Sequence, residues 1–74
     1  MSLANVKPWY KHITDSSAGT VIYNGYAEPG TALGAAGWLI TRQTITGAVM
    51  VLEHADSDRN FDNVWDDRAT LTYG

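Results

Sequence analysis

The absence of cysteine from a chain of 74 residues is the feature that most limits what it can fold into. A domain this short buries only about 60% of the surface its unfolded form exposes. Natural domains of this size usually add a disulfide, a metal or a partner subunit. Lack of cysteine removes disulfides and thiolate metal sites together. His12 and His54 lie far apart in the chain, with no companion ligands at zinc-site spacing. Self-association or contact with another protein is the expected brace for what can only be one domain.

The alternation of side chains predicts that this domain is mainly β, a small antiparallel sheet or meander of sandwich or barrel type. Thr20 to Ala27 reads as a strand, dense in β-branched and aromatic residues. Glu28-Pro29-Gly30-Thr31 has the form of a type II turn, with Pro second and Gly third. Ala32 to Gly37 reads as a loop. Trp38–Thr46 and Ala48–Ala55 read as the arms of a hairpin turned at Gly47. In the first arm Trp38, Ile40 and Arg42 share one face, and Leu39, Thr41 and Gln43 the other. In the second, Ala48, Met50, Leu52 and His54 oppose Val49, Val51 and Glu53. Apolar residues on both faces predict a ribbon packed on two sides or seated at an interface.

Both ends of the chain differ from this pattern. Residues 1–19 lack a clear period and read as an N-terminal arm or loop, leaving 20–74 as the β domain. Within the arm, Lys7-Pro8-Trp9-Tyr10-Lys11 is either a segment that docks on a neighbour or a strand over one end of the core. Near the C-terminus, Phe61, Val64 and Trp65 fall at i, i+3 and i+4, the face of a short helical turn. Asp58 or Asn60 would cap it and Asp62 would favour its positive end. Ala69, Leu71 and Tyr73 then return to a period of two, as a closing strand would. No early basic residues precede an apolar run of export-signal length, and no apolar stretch approaches the ~20 residues that span a bilayer.

Candidate chemistry is sparse. Asp56, Asp58, Asn60, Asp62 and Asp67 fall at positions 1, 3, 5, 7 and 12 of a calcium loop. Phe61 stands where such a loop needs glycine, Asn63 where it needs an apolar residue, and Asp67 replaces the bidentate glutamate. A solvated turn accounts for the same residues. Asp62, Asp66 and Asp67 crowd one turn beside Arg59 and Arg68, without the contrasting environments an acid–base pair requires. Neither histidine accompanies a nucleophile motif. The glycines at 30, 34 and 37 lack the spacing of a phosphate-binding loop. A net charge of −3 argues against nucleic acid as the main partner. No enzyme, no cofactor and no membrane partner are therefore expected. Trp9, Tyr10, Tyr26 and Trp38 are the candidate interface residues, as anchors for a neighbouring protein or a platform for a sugar or peptide. Core packing is the competing role, above all for Trp38 and Trp65.

Two blocks carry a resemblance. Gly25-Tyr26-Ala27-Glu28-Pro29-Gly30-Thr31 is followed, after a small-residue loop, by Trp38-Leu39-Ile40-Thr41-Arg42. The second block is Asn60-Phe61-Asp62-Asn63-Val64-Trp65-Asp66-Asp67-Arg68-Ala69-Thr70-Leu71-Thr72-Tyr73. Residues 20–74 resemble a family of small structural proteins of tailed bacteriophages; residues 1–19 lie outside the resemblance. It implies a virion component such as a head-decoration, neck or tail protein, in many symmetry-related copies. It further implies a homo-oligomer with other virion proteins as partners. It implies no catalytic residue. Within it, Phe61, Val64, Trp65 and Arg68 form a structural anchor, the first three packed inward and Arg68 paired with an acid. Ser57 departs from the glycine expected after Ala55-Asp56. The alternative reading is a small carbohydrate- or ligand-binding module on a virion fibre.

Overall fold

The computed structural model describes residues 6–74; Met1 to Asn5, the beginning of the expected arm, lie outside the described residues. Four strands run in chain order as an antiparallel meander: β1 (Lys11–Asp15), β2 (Val21–Ala27), β3 (Ala36–Thr46) and β4 (Val49–His54). A two-residue strand, β5 (Asn63–Val64), pairs with the start of β3 and leads into a single 3-10 turn, Trp65–Asp67. The sheet is open, with β1 and β4 at its edges.

Register determines which side chains meet. β2 pairs with β3 from Val21 opposite Thr44 to Tyr26 opposite Leu39. β1 lies against β2 with Ile13 opposite Gly25. The inward face therefore carries Ile13, Tyr23, Gly25, Ala27, Trp38 and Ile40. Trp38 and Ile40 are sealed there with Ala27, Ala55 and Trp65. Residues 61–74 cross this face as its cover, contributing Trp65, Leu71 and Tyr73. The core is thus one sheet against one irregular segment.

The opposite face is more polar than its sequence pattern predicts. Thr14 Oγ1 donates to Asn24 Oδ1 at 2.8 Å, and Asn24 Nδ2 donates to Gln43 Oε1 at 3.2 Å. These bonds tie β1, β2 and β3 into a polar ladder, with Leu39 and Thr41 buried beside it.

The turns follow local chemistry. Gly30 has φ +88° and Thr31 N–H donates to Glu28 C=O at 3.2 Å, as a type II turn requires. Gly47 has φ +60° and starts a two-residue loop between the paired Thr46 and Val49. Ala48 does not share the positive φ, so the hairpin turn is type II′, which places glycine first.

Four expectations need correction. Residues 11–15 form an edge strand, so the division at residue 19 falls inside the β1–β2 hairpin. Phe61, Val64 and Trp65 share no helical face, because Val64 is held extended against Ala36 and the helical turn begins only at Trp65. The turn has no side-chain cap, and Asp58 instead accepts from Asn60 N–H at 3.0 Å. Residues 69–73 are not a strand. Thr70 closes onto Asp67 through backbone and hydroxyl alike, and only a bridge between Tyr73 and Ala55 remains.

Ser57 marks a point of backbone strain. Asp56 and Ser57 have φ +59° and +57°, and Asp58 N–H reaches Ala55 C=O at 3.4 Å. Two consecutive left-handed residues make a type I′ turn, for which Asp-Gly is the favoured pair. A left-handed residue with a Cβ costs roughly 1–2 kcal/mol, partly offset by the greater unfolded-state entropy of glycine. Ser57→Gly is expected to stabilise the domain by about 0.5–1 kcal/mol, read as a rise in urea midpoint at unchanged m-value. A fall in midpoint would mean the Ser57 side chain makes a contact worth more than the strain.

Candidate protein interface

The aromatic candidates separate by burial. Trp38, a candidate for the interface by sequence, is fully buried. Its indole N–H donates to Ala32 C=O at 2.9 Å and its ring lies 6.0 Å from that of Trp65. That assignment is corrected: Trp38 points to the inward face of the central strand, where no partner reaches it. Tyr26 lies on the opposite face, and His12 stacks on its ring at 4.8 Å with planes 4° apart. Burial raises the Tyr26 hydroxyl above its ordinary pKa. Trp9 is 66% exposed. Tyr10 meets Phe61 edge-on at 5.6 Å and Trp9 at 6.2 Å. Tyr10 and Phe61 form one wall of an open cleft of about 300 Å³, which Glu28, Thr31 and Gly37 complete. The N-terminal aromatics thus dock on the C-terminal cover through Tyr10 and leave Trp9 in solvent.

Of the anchor residues, Trp65 and Arg68 come together, by a route that helical spacing did not predict, whereas Phe61 lies against Tyr10 at the cleft and Val64 pairs with Ala36. Arg68 donates through Nε and Nη2 to Asp15 Oδ2 at 3.1 and 2.9 Å. Its guanidinium lies 4.6 Å from the Trp65 ring centroid, and Nη1 donates to Trp65 C=O at 3.2 Å. Tyr73 hydroxyl then donates to Arg68 C=O at 2.8 Å. This clamp fastens the cover to β1 across the sheet. The Ser17 N–H, the Ser17 hydroxyl and then Arg68 hold the Asp15 carboxyl at about 2, so it stays ionised well into acid. Burial, followed by the neighbouring Tyr23, pushes the Tyr73 hydroxyl up to about 12. Arg42 stacks 4.5 Å from the Tyr73 ring and pairs with Glu53 at 2.8 Å on the same face.

The acidic residues do not converge. Asp62, Asp66 and Asp67 are exposed, and Asp66 is positioned by its own N–H donating to Leu33 C=O at 3.2 Å. Among the described residues no three His, Asp or Glu side chains gather to hold a metal ion. Among the same residues no helix is long and apolar enough to cross a membrane.

Sequence alternation does not single out the outer edge of β4. Val49, Met50 and Val51 are 61%, 55% and 49% exposed, three consecutive apolar residues in water. The two-residue turn makes Thr46 and Val49 a hydrogen-bonded pair, and pairs alternate from there. Thr44 with Val51 and Arg42 with Glu53 are bonded, whereas Met50, Leu52 and His54 direct their N–H and C=O outward. His54 meets Gly74 through reciprocal backbone bonds of 2.9 and 3.0 Å, as this alternation requires. Met50 and Leu52 have no such partner among the described residues. The opposite edge is guarded differently, with Lys11 and Asp15 on β1 and Pro8 just before it. Charged residues and proline block edge pairing. One edge is protected and the other is left open.

Comparison of the chain with protein-family models, with curated proteins and with solved structures finds no match.

Proposed function

We propose that this chain is a structural component of a tailed-phage virion, in the head, neck or tail, that works by contact with other virion proteins and with copies of itself. It would be made in the bacterial host cytoplasm and used on the particle. The observation that carries the assembly reading is the β4 edge, where the backbone groups of Met50 and Leu52, unpaired among the described residues, lie among exposed Val49, Met50 and Val51. An open edge of this kind templates strand addition, and the backbone supplies most of the affinity. The virion assignment rests on the resemblance of residues 25–42 and 60–73 to phage structural proteins. A partner would also supply the brace that a short sheet with a one-sided cover lacks.

The experiment is cross-linking within intact particles. Lys7 and Lys11, at the exposed N-terminal side of β1, are expected to link to virion proteins. Met50→Pro, which removes an outward N–H and leaves the pairing with β3 intact, is expected to abolish incorporation into particles. Normal incorporation of a folded Met50→Pro chain would sink the edge reading.

The second reading is a ligand-binding module on a virion fibre. It draws on the Tyr10–Phe61 cleft, where an aromatic wall stands beside Glu28 and Thr31 as sugar or peptide recognition requires. Its signature is ligand-dependent quenching of Trp9, which lies edge-on to Tyr10.

A further inference from the structure

We infer that the open edge of β4 pairs with β4 of a second copy, antiparallel and centred on Val51. The inference rests on the assembly reading above and names the first partner of that edge. A two-fold axis through Val51 sets Met50 opposite Leu52 of the second copy, and Leu52 opposite its Met50. These are the residues whose N–H and C=O point outward, so each pair exchanges two backbone bonds. On one face Val51 meets Val51, both exposed in the single chain. On the other face Met50 meets Leu52. Glu53 falls opposite Val49, so no like charges face each other, and it keeps its 2.8 Å pair with Arg42. Centring on Leu52 instead would set Met50 against His54, whose outward groups Gly74 already occupies. Pairing with β1 of another copy would meet its Lys11 and Asp15 and would propagate without closing. The isologous pair closes on itself.

Five residues of edge bury less than a standard interface, so the free pair is expected to be weak, with Kd in the micromolar range or above. Many copies on one particle would raise the effective concentration and make the pairing persistent. A covalent trap is therefore the appropriate probe, and the lack of native cysteine makes it clean. Across the two-fold axis the Val51 Cα atoms would lie about 4.5 Å apart, within the range a disulfide spans. Val49 of one copy and Val49 of the other would be about 13 Å apart, beyond it.

The full-length chain carrying Val51→Cys, Val49→Cys or Glu53→Cys is oxidised mildly, and covalent dimer is measured. Val51→Cys is expected to dimerise at least tenfold faster than either of the others alone. An equimolar mixture of Val49→Cys and Glu53→Cys is expected to give the mixed dimer. Adding Met50→Pro to Val51→Cys, with the fold verified by circular dichroism, is expected to lower dimer formation about tenfold. Equal cross-linking of all three variants, or none of the Val51→Cys chain, overturns the self-pairing. If self-pairing fails while Met50→Pro still blocks incorporation into particles, the edge serves another virion protein and the proposed function stands. If Met50→Pro changes neither, both are overturned.

Discussion

Replacing Trp65 with alanine is expected to cost about 3–5 kcal/mol, the usual result of deleting a buried tryptophan. A domain of 74 residues has a total stability of roughly 4–11 kcal/mol at 0.05–0.15 kcal/mol per residue. The substitution therefore removes a large part of it. Trp65 is 3% exposed and fills the space between the inward face and the cover. It packs on Trp38, lies beneath the Arg68 guanidinium, and opens the turn that carries Arg68 to Asp15. Alanine leaves a cavity and also removes the surface on which Arg68 stacks. The check is urea unfolding followed by circular dichroism, with the remaining tryptophans Trp9 and Trp38 as a second probe. A loss below about 1 kcal/mol would mean that the cover does not depend on Trp65.

Gly25→Ala is expected to cost about 1–3 kcal/mol, as overpacking a close-fitting core does. A Cβ at Gly25 would lie 2.6 Å from Trp65 Cε3, 2.8 Å from its Cζ3 and 3.0 Å from Ile13 Cγ2. Gly25 has no positive φ, so closeness of approach, not backbone conformation, selects glycine here. The indole comes close to the β2 backbone at the only position in that strand without a side chain. Contact with the far side of a rigid, buried ring cannot be relieved by a rotamer change. A double-mutant cycle tests this directly. In a Trp65→Leu background the same Gly25→Ala change should cost at least 1 kcal/mol less, since the clashing ring atoms are gone. Additivity of the two changes would place the clash elsewhere.

Alternation identified β2, β3 and β4 because each is paired on at least one side and presents alternate residues to different surroundings. It missed β1, whose edge position and Lys11, His12, Thr14 and Asp15 give it the composition of a loop. It misread Phe61, Val64 and Trp65 as a helical face because i, i+3, i+4 spacing also occurs when an extended pair precedes a single turn. Among the interface candidates, Trp9 is exposed and Tyr10 lines a cleft, whereas Trp38 is sealed. Arg68 is legible in the sequence as an anchor that pairs with an acid, but that acid, Asp15, lies 53 positions away and cannot be chosen from several acids by sequence alone. The outward groups of Met50 and Leu52 carry no side-chain signal at all, since a backbone edge is a property of pairing.

What this sequence determines by itself is local. Glycine and proline set the turns at Gly30 and Gly47 through φ, and period-two patterning sets the central strands, because both act within a few residues. Tertiary structure decided which edge is guarded, which tryptophans are core, and why Gly25 is glycine. Each of those depends on what the register of one strand brings against another, and register is an outcome of the whole sheet.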